Sequence, residues 1–128
     1  MKKFLLPVSA TALIGAAALI PALAPAAAAG PDGAALFRQR CASCHSVAPG
    51  AKSPLGPNLS GVVGRRAATT QFNYTPALKN ANLTWNRANL DRYLSGPTRM
   101  VPGTRMVITV SDPTQRAAIL DYLQGPKK

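Results

Sequence analysis

Hydrophobic and polar positions divide the 128-residue chain into one long apolar run and several short, interrupted ones. Phe4 to Leu23 is mostly apolar, rich in Ala and Leu, and follows Lys2 and Lys3. Beyond it the apolar residues come in small sets, each beside a capping signal. Asp32 can cap a helix over Gly33 to Arg40 that carries Leu36 and Phe37. Thr75-Pro76 opens a short helix through about Asn80, with proline at the first helical position. Thr84 can cap a further helix carrying Trp85, Leu90, Tyr93 and Leu94, ended by Gly96-Pro97. Asp112-Pro113 opens a last helix with Ile119, Tyr122 and Leu123 on one face, stopped by Gly125-Pro126. The stretches Ser46 to Gly64 and Thr98 to Ser111 are rich in loop-forming residues. No strand alternation, repeat or second domain is visible, so the pattern predicts a small all-α domain with long loops.

The long apolar run stands apart from that domain. A positive start, an apolar middle and small residues up to Ala29 have the anatomy of a cleavable secretory signal peptide over residues 1–29. An uncleaved membrane anchor is the alternative, because about 20 apolar residues can span a bilayer. Removing 29 of 128 residues leaves 99, residues 30–128, a small size for a self-sufficient core. A large buried cofactor would supply much of the missing interior. Loss of Lys2 and Lys3 lowers the formal charge from +11 to +9, against only four aspartates and no glutamate. Such a surface suits an acidic partner or an anionic membrane surface, and export argues against nucleic acid.

One pentapeptide, Cys41-Ala42-Ser43-Cys44-His45, uses both cysteines and the only histidine. The spacing C-x-x-C-H is the signal for covalent c-type haem attachment. Two thiols three positions apart can form thioethers with the two vinyl groups of one haem, and the next residue can then serve as proximal ligand. A disulfide, a thioredoxin-like dithiol and a zinc site compete for the same residues. The dithiol lacks its βαβ context, and zinc lacks a second Cys/His cluster. A haem would also explain the long loops, which can wrap it. A sixth ligand cannot be a second histidine. Met100 and Met106 both lie in the expected 98–111 loop, and spacing alone leaves either open.

In order along the chain, Gly33, Phe37, the Cys41–His45 motif, Gly56-Pro57-Asn58-Leu59, Gly64-Arg65, Phe72, Tyr74-Thr75, Trp85, Leu90, Tyr93-Leu94, Pro97, Pro102-Gly103-Thr104-Arg105-Met106 and Arg116 through Tyr122-Leu123 resemble class I cytochromes c, in particular the mitochondrial-type branch and its bacterial relatives. The resemblance implies a small class I cytochrome c fold of few short helices and long loops around one covalently bound haem. It also implies Met106 as the sixth ligand. A methionine sulfur favours ferrous iron relative to a second imidazole. Pro57 matches the residue whose carbonyl accepts from the proximal histidine ring. Arg65, Tyr74 and Trp85 match residues that satisfy the haem propionates, and Tyr93 matches the tyrosine near the methionine sulfur. Gly33 and Phe37 match residues that pack on Ile119 and Tyr122 where the first and last helices cross. Two departures stand out: Leu78 where members often carry a buried polar group, and Ile108 in place of an aromatic. The family's lysine ring is reduced to Lys52 and Lys79 with Arg87, Arg99 and Arg105.

The expected activity is one-electron transfer without catalysis, by a periplasmic monomer cycling between redox partners with acidic docking surfaces. Those partners are a membrane oxidase or reductase complex, or a periplasmic dehydrogenase. A permanently held dehydrogenase subunit is one rival reading. A haem peroxidase or ligand sensor is the other, and it needs an open sixth position.

Overall fold

The computed structural model describes residues 29–125, so the expected signal peptide lies outside the described residues apart from Ala29. Five helices follow one another: α1 (Gly33–Arg40), α2 (Pro76–Lys79), α3 (Arg87–Ser95), α4 (Pro97–Met100) and α5 (Pro113–Gln124). Among the described residues there is no strand, only one antiparallel bridge between Arg66 and Thr84. No helix of the described residues is long and apolar enough to cross a membrane. The all-α reading holds.

The caps are those the sequence offers at three of the five helices. Asp32 accepts from the Ala34 and Ala35 amides at 2.9 and 3.3 Å, Thr75 from Leu78 at 3.3 Å, and Asp112 from Thr114 and Gln115 at 2.7 and 3.4 Å. Each satisfies amides that the first turn leaves without a partner. The expected Thr84 cap is displaced. Trp85 is held outside the helix, its amide donating to the Arg65 carbonyl at 2.8 Å and its carbonyl accepting from Gly64 at 2.9 Å. With residue 85 bound to a distant segment, Asn86 caps α3 by accepting from Asn89 at 2.8 Å. A second correction concerns the expected loop from Thr98. Gly96 ends α3, but Pro97 starts a new turn, with Met100 and Val101 donating to the Gly96 and Pro97 carbonyls at 3.0 and 2.8 Å. Met100 therefore sits on a helix.

Helix α5 packs against both α1 and α3, and α4 packs against α3. The core gathers Val62, Trp85, Leu90, Tyr93, Leu94, Val101, Val110, Ile119 and Leu120. Where α1 crosses α5, a Cβ on Gly33 would lie 2.0 Å from the Ala118 carbonyl oxygen. Only glycine permits that approach. Phe37 meets Tyr122 beside it, ring centroids 5.4 Å apart. The α5 face differs from the expected one: Leu120 is buried beside Ile119, while Tyr122 stays 37% exposed. Burial on two sides, by α1 and α3, widens the apolar arc beyond the single stripe that periodicity indicated.

The Thr114 hydroxyl and amide hold the Asp112 carboxyl below its ordinary range. A depressed folded pKa contributes stability above the unfolded value and loses it as pH falls through the folded one. The stability advantage of wild type over Asp112→Asn is therefore expected to be full above about pH 4 and to close below it, measured by thermal unfolding across an acid series.

Candidate haem site

The cysteine pair begins where α1 ends. Cys41 donates its amide to Phe37 at 2.8 Å, and its carbonyl then accepts from Cys44 and His45 at 3.0 and 2.9 Å. These i+3 and i+4 bonds bring residues 41, 44 and 45 to one side of the turn. Both thiols are free and half-buried. Burial, with some help from Cys44, pushes the Cys41 thiol up, while Arg40 pulls it down. Among the described residues no group of three or more His, Cys, Asp or Glu could hold a bare metal ion.

His45 is fixed from two sides. Its Nδ1 lies 2.8 Å from the Pro57 carbonyl oxygen. A carbonyl can only accept, so Nδ1 carries a proton and Nε2 is the nitrogen left to act as a ligand. Gly56 lies against the ring: a Cβ there would come within 2.5 Å of Cε1. The Gly56 amide donates to the Cys44 carbonyl at 2.8 Å, which ties this backing to the pentapeptide. Two free thiols beside an imidazole that turns Nε2 away from Pro57, with no cluster of three or more His, Cys, Asp or Glu among the described residues, suit a covalently anchored haem better than zinc.

Arg65 donates to the Ser60 and Asn58 carbonyls at 2.8 and 2.9 Å. It is thus a clamp on the loop after Pro57, with three of its five donors still to place. Asn58, not singled out by its residue type, bridges the Ala48 and Ala51 carbonyls at 2.8 Å each and accepts from Ser60 at 2.7 Å. Tyr74 is buried, and its hydroxyl bonds to Thr70. Trp85 and Tyr93 are buried with ring centroids 4.9 Å apart. The Tyr93 hydroxyl meets Thr104 at 2.7 Å, and the Thr104 hydroxyl accepts weakly from the Met106 amide at 3.4 Å. Burial pushes the Tyr93 hydroxyl up, with the Thr104 bond opposing. Met106 is half-buried against the core, as are Leu78 and Met100.

Trp85, Tyr93, Thr104 and Met106 thus form one connected series, while His45 and Pro57 form another. Thr70 belongs to none of the motifs, and its only sequence signal is a hydroxyl near an aromatic that needs a partner once buried. Thr104 stands in the Pro102–Met106 motif, but its bond to Tyr93 is made by the fold.

Gly56→Ala is expected to force the His45 ring off Pro57 and to cost about 2 kcal/mol, within the usual range for overpacking. Denaturant unfolding of the haem-loaded protein checks the cost, and its visible spectrum checks the ring.

The cytochrome c family model matches residues 31–126. A cytochrome c2 of Rhodomicrobium vannielii is 43% identical over 114 residues, 88% of this chain and 90% of that protein. Cytochrome c of Cannabis sativa is 40% identical over 94 residues, covering 72% and 85%. Among solved structures, cytochrome cH from Methylobacterium extorquens is similar with a TM-score of 0.67 at 37% identity, over 73% of this chain and 95% of that one. With a match that runs from the turn before α1 past the end of α5, this chain belongs to the cytochrome c family, electron-transfer proteins that carry one covalently attached haem c.

Proposed function

We propose that the chain is an exported, periplasmic one-electron carrier whose haem is ligated by His45 and Met106 and docks on acidic surfaces of its redox partners. The observation that carries the ligation is the single-sided turn of Cys41, Cys44 and His45, with Pro57 fixing the tautomer. Bound haem c supplies the ferric/ferrous couple that takes up one electron and gives it back. Cys41 and Cys44 would anchor it, and His45 would present Nε2 from a ring that cannot rotate away from Pro57. Met106 would offer a soft sulfur that raises the potential relative to a second imidazole. Tyr74, Trp85 and the unused donors of Arg65 suit two propionates, and Tyr93 with Thr104 would hold the methionine side. With His45 and Met106 both held by a packed frame, the site would reorganise little when one electron comes or goes. Residues 1–29 as a signal peptide, with 30–128 as the working domain, belong to the same reading.

Charge supports the docking. Between Gly33 and Leu90 there are seven cationic residues and no acidic one. Asp32 and Asp112 are helix caps, and Asp121 and Asp91 pair with Arg87 and Arg116 at 2.8 and 2.7 Å. All four acids are thereby engaged inside the molecule, leaving the cationic groups to set the outward field. A longer-lived complex with one partner is the second reading. It is favoured by Leu55 and Val107, 74% and 70% exposed. Leu55 follows Cys44 through a 3.3 Å backbone bond, and Val107 adjoins Met106. Apolar contacts survive salt and charge contacts do not. A carrier should be released from its redox complex by raising salt about tenfold from 10 mM, where the Debye length falls from roughly 30 to 10 Å; a complex that persists favours the second reading.

The ligand assignment is tested by spectra of the oxidised and reduced protein. Wild type and Met100→Ala should show the weak far-red sulfur-to-iron charge-transfer band, and Met106→Ala should lose it and bind carbon monoxide when reduced. A high-spin wild type that binds carbon monoxide readily would leave the peroxidase or sensor reading standing instead.

A further inference from the structure

The segment that carries Met106 is fastened at both ends and free between them. Residues 105–109 make no backbone–backbone hydrogen bond among the described residues. Before them, Thr104 donates its amide to Val101 at 3.0 Å and shares its hydroxyl with Tyr93. After them, Val110 is 1% exposed and donates to the Leu94 carbonyl at 2.8 Å. One further latch, from the Arg105 guanidinium, reaches the Asn73 carbonyl. Tyr93 and Leu94 are neighbours on α3, so both ends of the strap hang from one helix.

The far end has a second fastening that comes from α5. Arg116 Nη1 donates to the Val110 and Ser111 carbonyls at 3.0 and 2.8 Å. Arg116 Nε donates to Asp91 of α3 at 2.7 Å. The arginine side chain is only 12% exposed, whereas Asp91 is 42% exposed. A nearly buried guanidinium with a carboxylate on one edge and two carbonyls on another has its direction set by its planar fork. Lysine cannot reproduce it, because a single ammonium lacks the second edge. The other ion pair between α3 and α5, Arg87 with Asp121, links the same helices but is far more exposed, at 43% and 63%, and bonds to no residue of the strap.

We infer that Arg116 is a positioning residue for Met106: by fixing Val110 and Ser111 it sets how readily the 105–109 strap opens. The inference rests on the reading of Met106 as a ligand. It predicts that loosening the fork raises the rate at which an external base reaches the sixth position, beyond any loss of global stability.

The test uses the haem-loaded ferric protein with imidazole as probe, reading the limiting rate at saturating imidazole by stopped flow. Denaturant stability and the far-red band are measured on the same samples. Arg116→Lys is expected to open about tenfold faster, the factor that losing one hydrogen bond to a charged group allows. Asp91→Asn, which leaves the carbonyl bracket but removes its carboxylate partner, should fall between that variant and wild type. Asp121→Asn should match the wild-type rate. Exchange of the Val110 amide with solvent should quicken in the first two variants and not in the third. If Arg116→Lys fails to fold, Asp91→Asn decides alone. A wild-type opening rate in the folded Arg116 or Asp91 variants, whatever their stability, overturns the inference. Absence of the far-red band in wild type removes the Met106 reading and this inference with it, whereas band present with rates unchanged removes only the role of Arg116.

Discussion

The approach of Gly33 to the Ala118 carbonyl is the constraint on which the remaining geometry depends. It lets α1 and α5 cross with their backbones in contact, an approach any side chain would block. Helix α1 ends in the cysteine turn, so its seat on α5 fixes where Cys41, Cys44 and His45 stand. Helix α5 also packs on α3, and α3 holds both ends of the strap that bears Met106. The two halves of the candidate haem site share no helix. They are related through α5 and through the pairing of Trp85 with Gly64 and Arg65, and a shift at the α1–α5 crossing would move one half against the other. Interiors are packed too densely to absorb such a shift locally.

What could be read from the sequence follows from how local each cause is. Asp32, Thr75 and Asp112 each satisfy amides two or three residues ahead, so α1, α2 and α5 start where those residues stand. Trp85 misled the reading because its backbone pairs with Arg65, twenty positions back, and no local pattern announces that. The single turn of α4 has no apolar period of its own; it exists because Pro97 presets a helical φ and the Gly96 and Pro97 carbonyls find amides in reach. Leu120 is buried because two helices cover α5, which a one-sided periodicity cannot express. The pentapeptide was legible as chemistry, since spacing alone puts its three side chains on one side of a turn. Pro57 became meaningful only through the resemblance, and the bond it makes to His45 is a tertiary fact. Thr70 could not be singled out, and Thr104 was visible only as a motif position without a role, because a hydroxyl becomes significant only when folding brings a phenol to it.

Charge adds a separate division of labour. The acids all serve helix caps or helix pairing, so each is used to build the frame. The stretch between Cys41 and Thr84 contains Lys52, Arg65, Arg66 and Lys79 with no acid among them. Neutralising an acid would therefore weaken the frame first, while neutralising an exposed lysine would alter the field and leave the packing alone. Arg65 is the exception, since its guanidinium also clamps the Asn58 and Ser60 carbonyls. Stability and partner attraction are thus carried by largely different residues.

If Met106 is the ligand, as proposed, the two methionines illustrate why such a residue belongs on a strap. Met100 closes α4, where its amide donates to Gly96, and its direction is dictated by the helix. Met106 lies where the chain makes no backbone bond between two fixed ends, so its sulfur can settle at the distance a metal requires without breaking any helix bond. That freedom has a cost, because an unbonded segment also opens more easily than a helix does. Fastening both ends to α3, and the far end again to α5 through Arg116, limits the opening without stiffening the part that must adjust. Rigidity is placed at the ends of the strap and compliance at its centre, which is the arrangement a ligand needs when it must stay bound in two oxidation states.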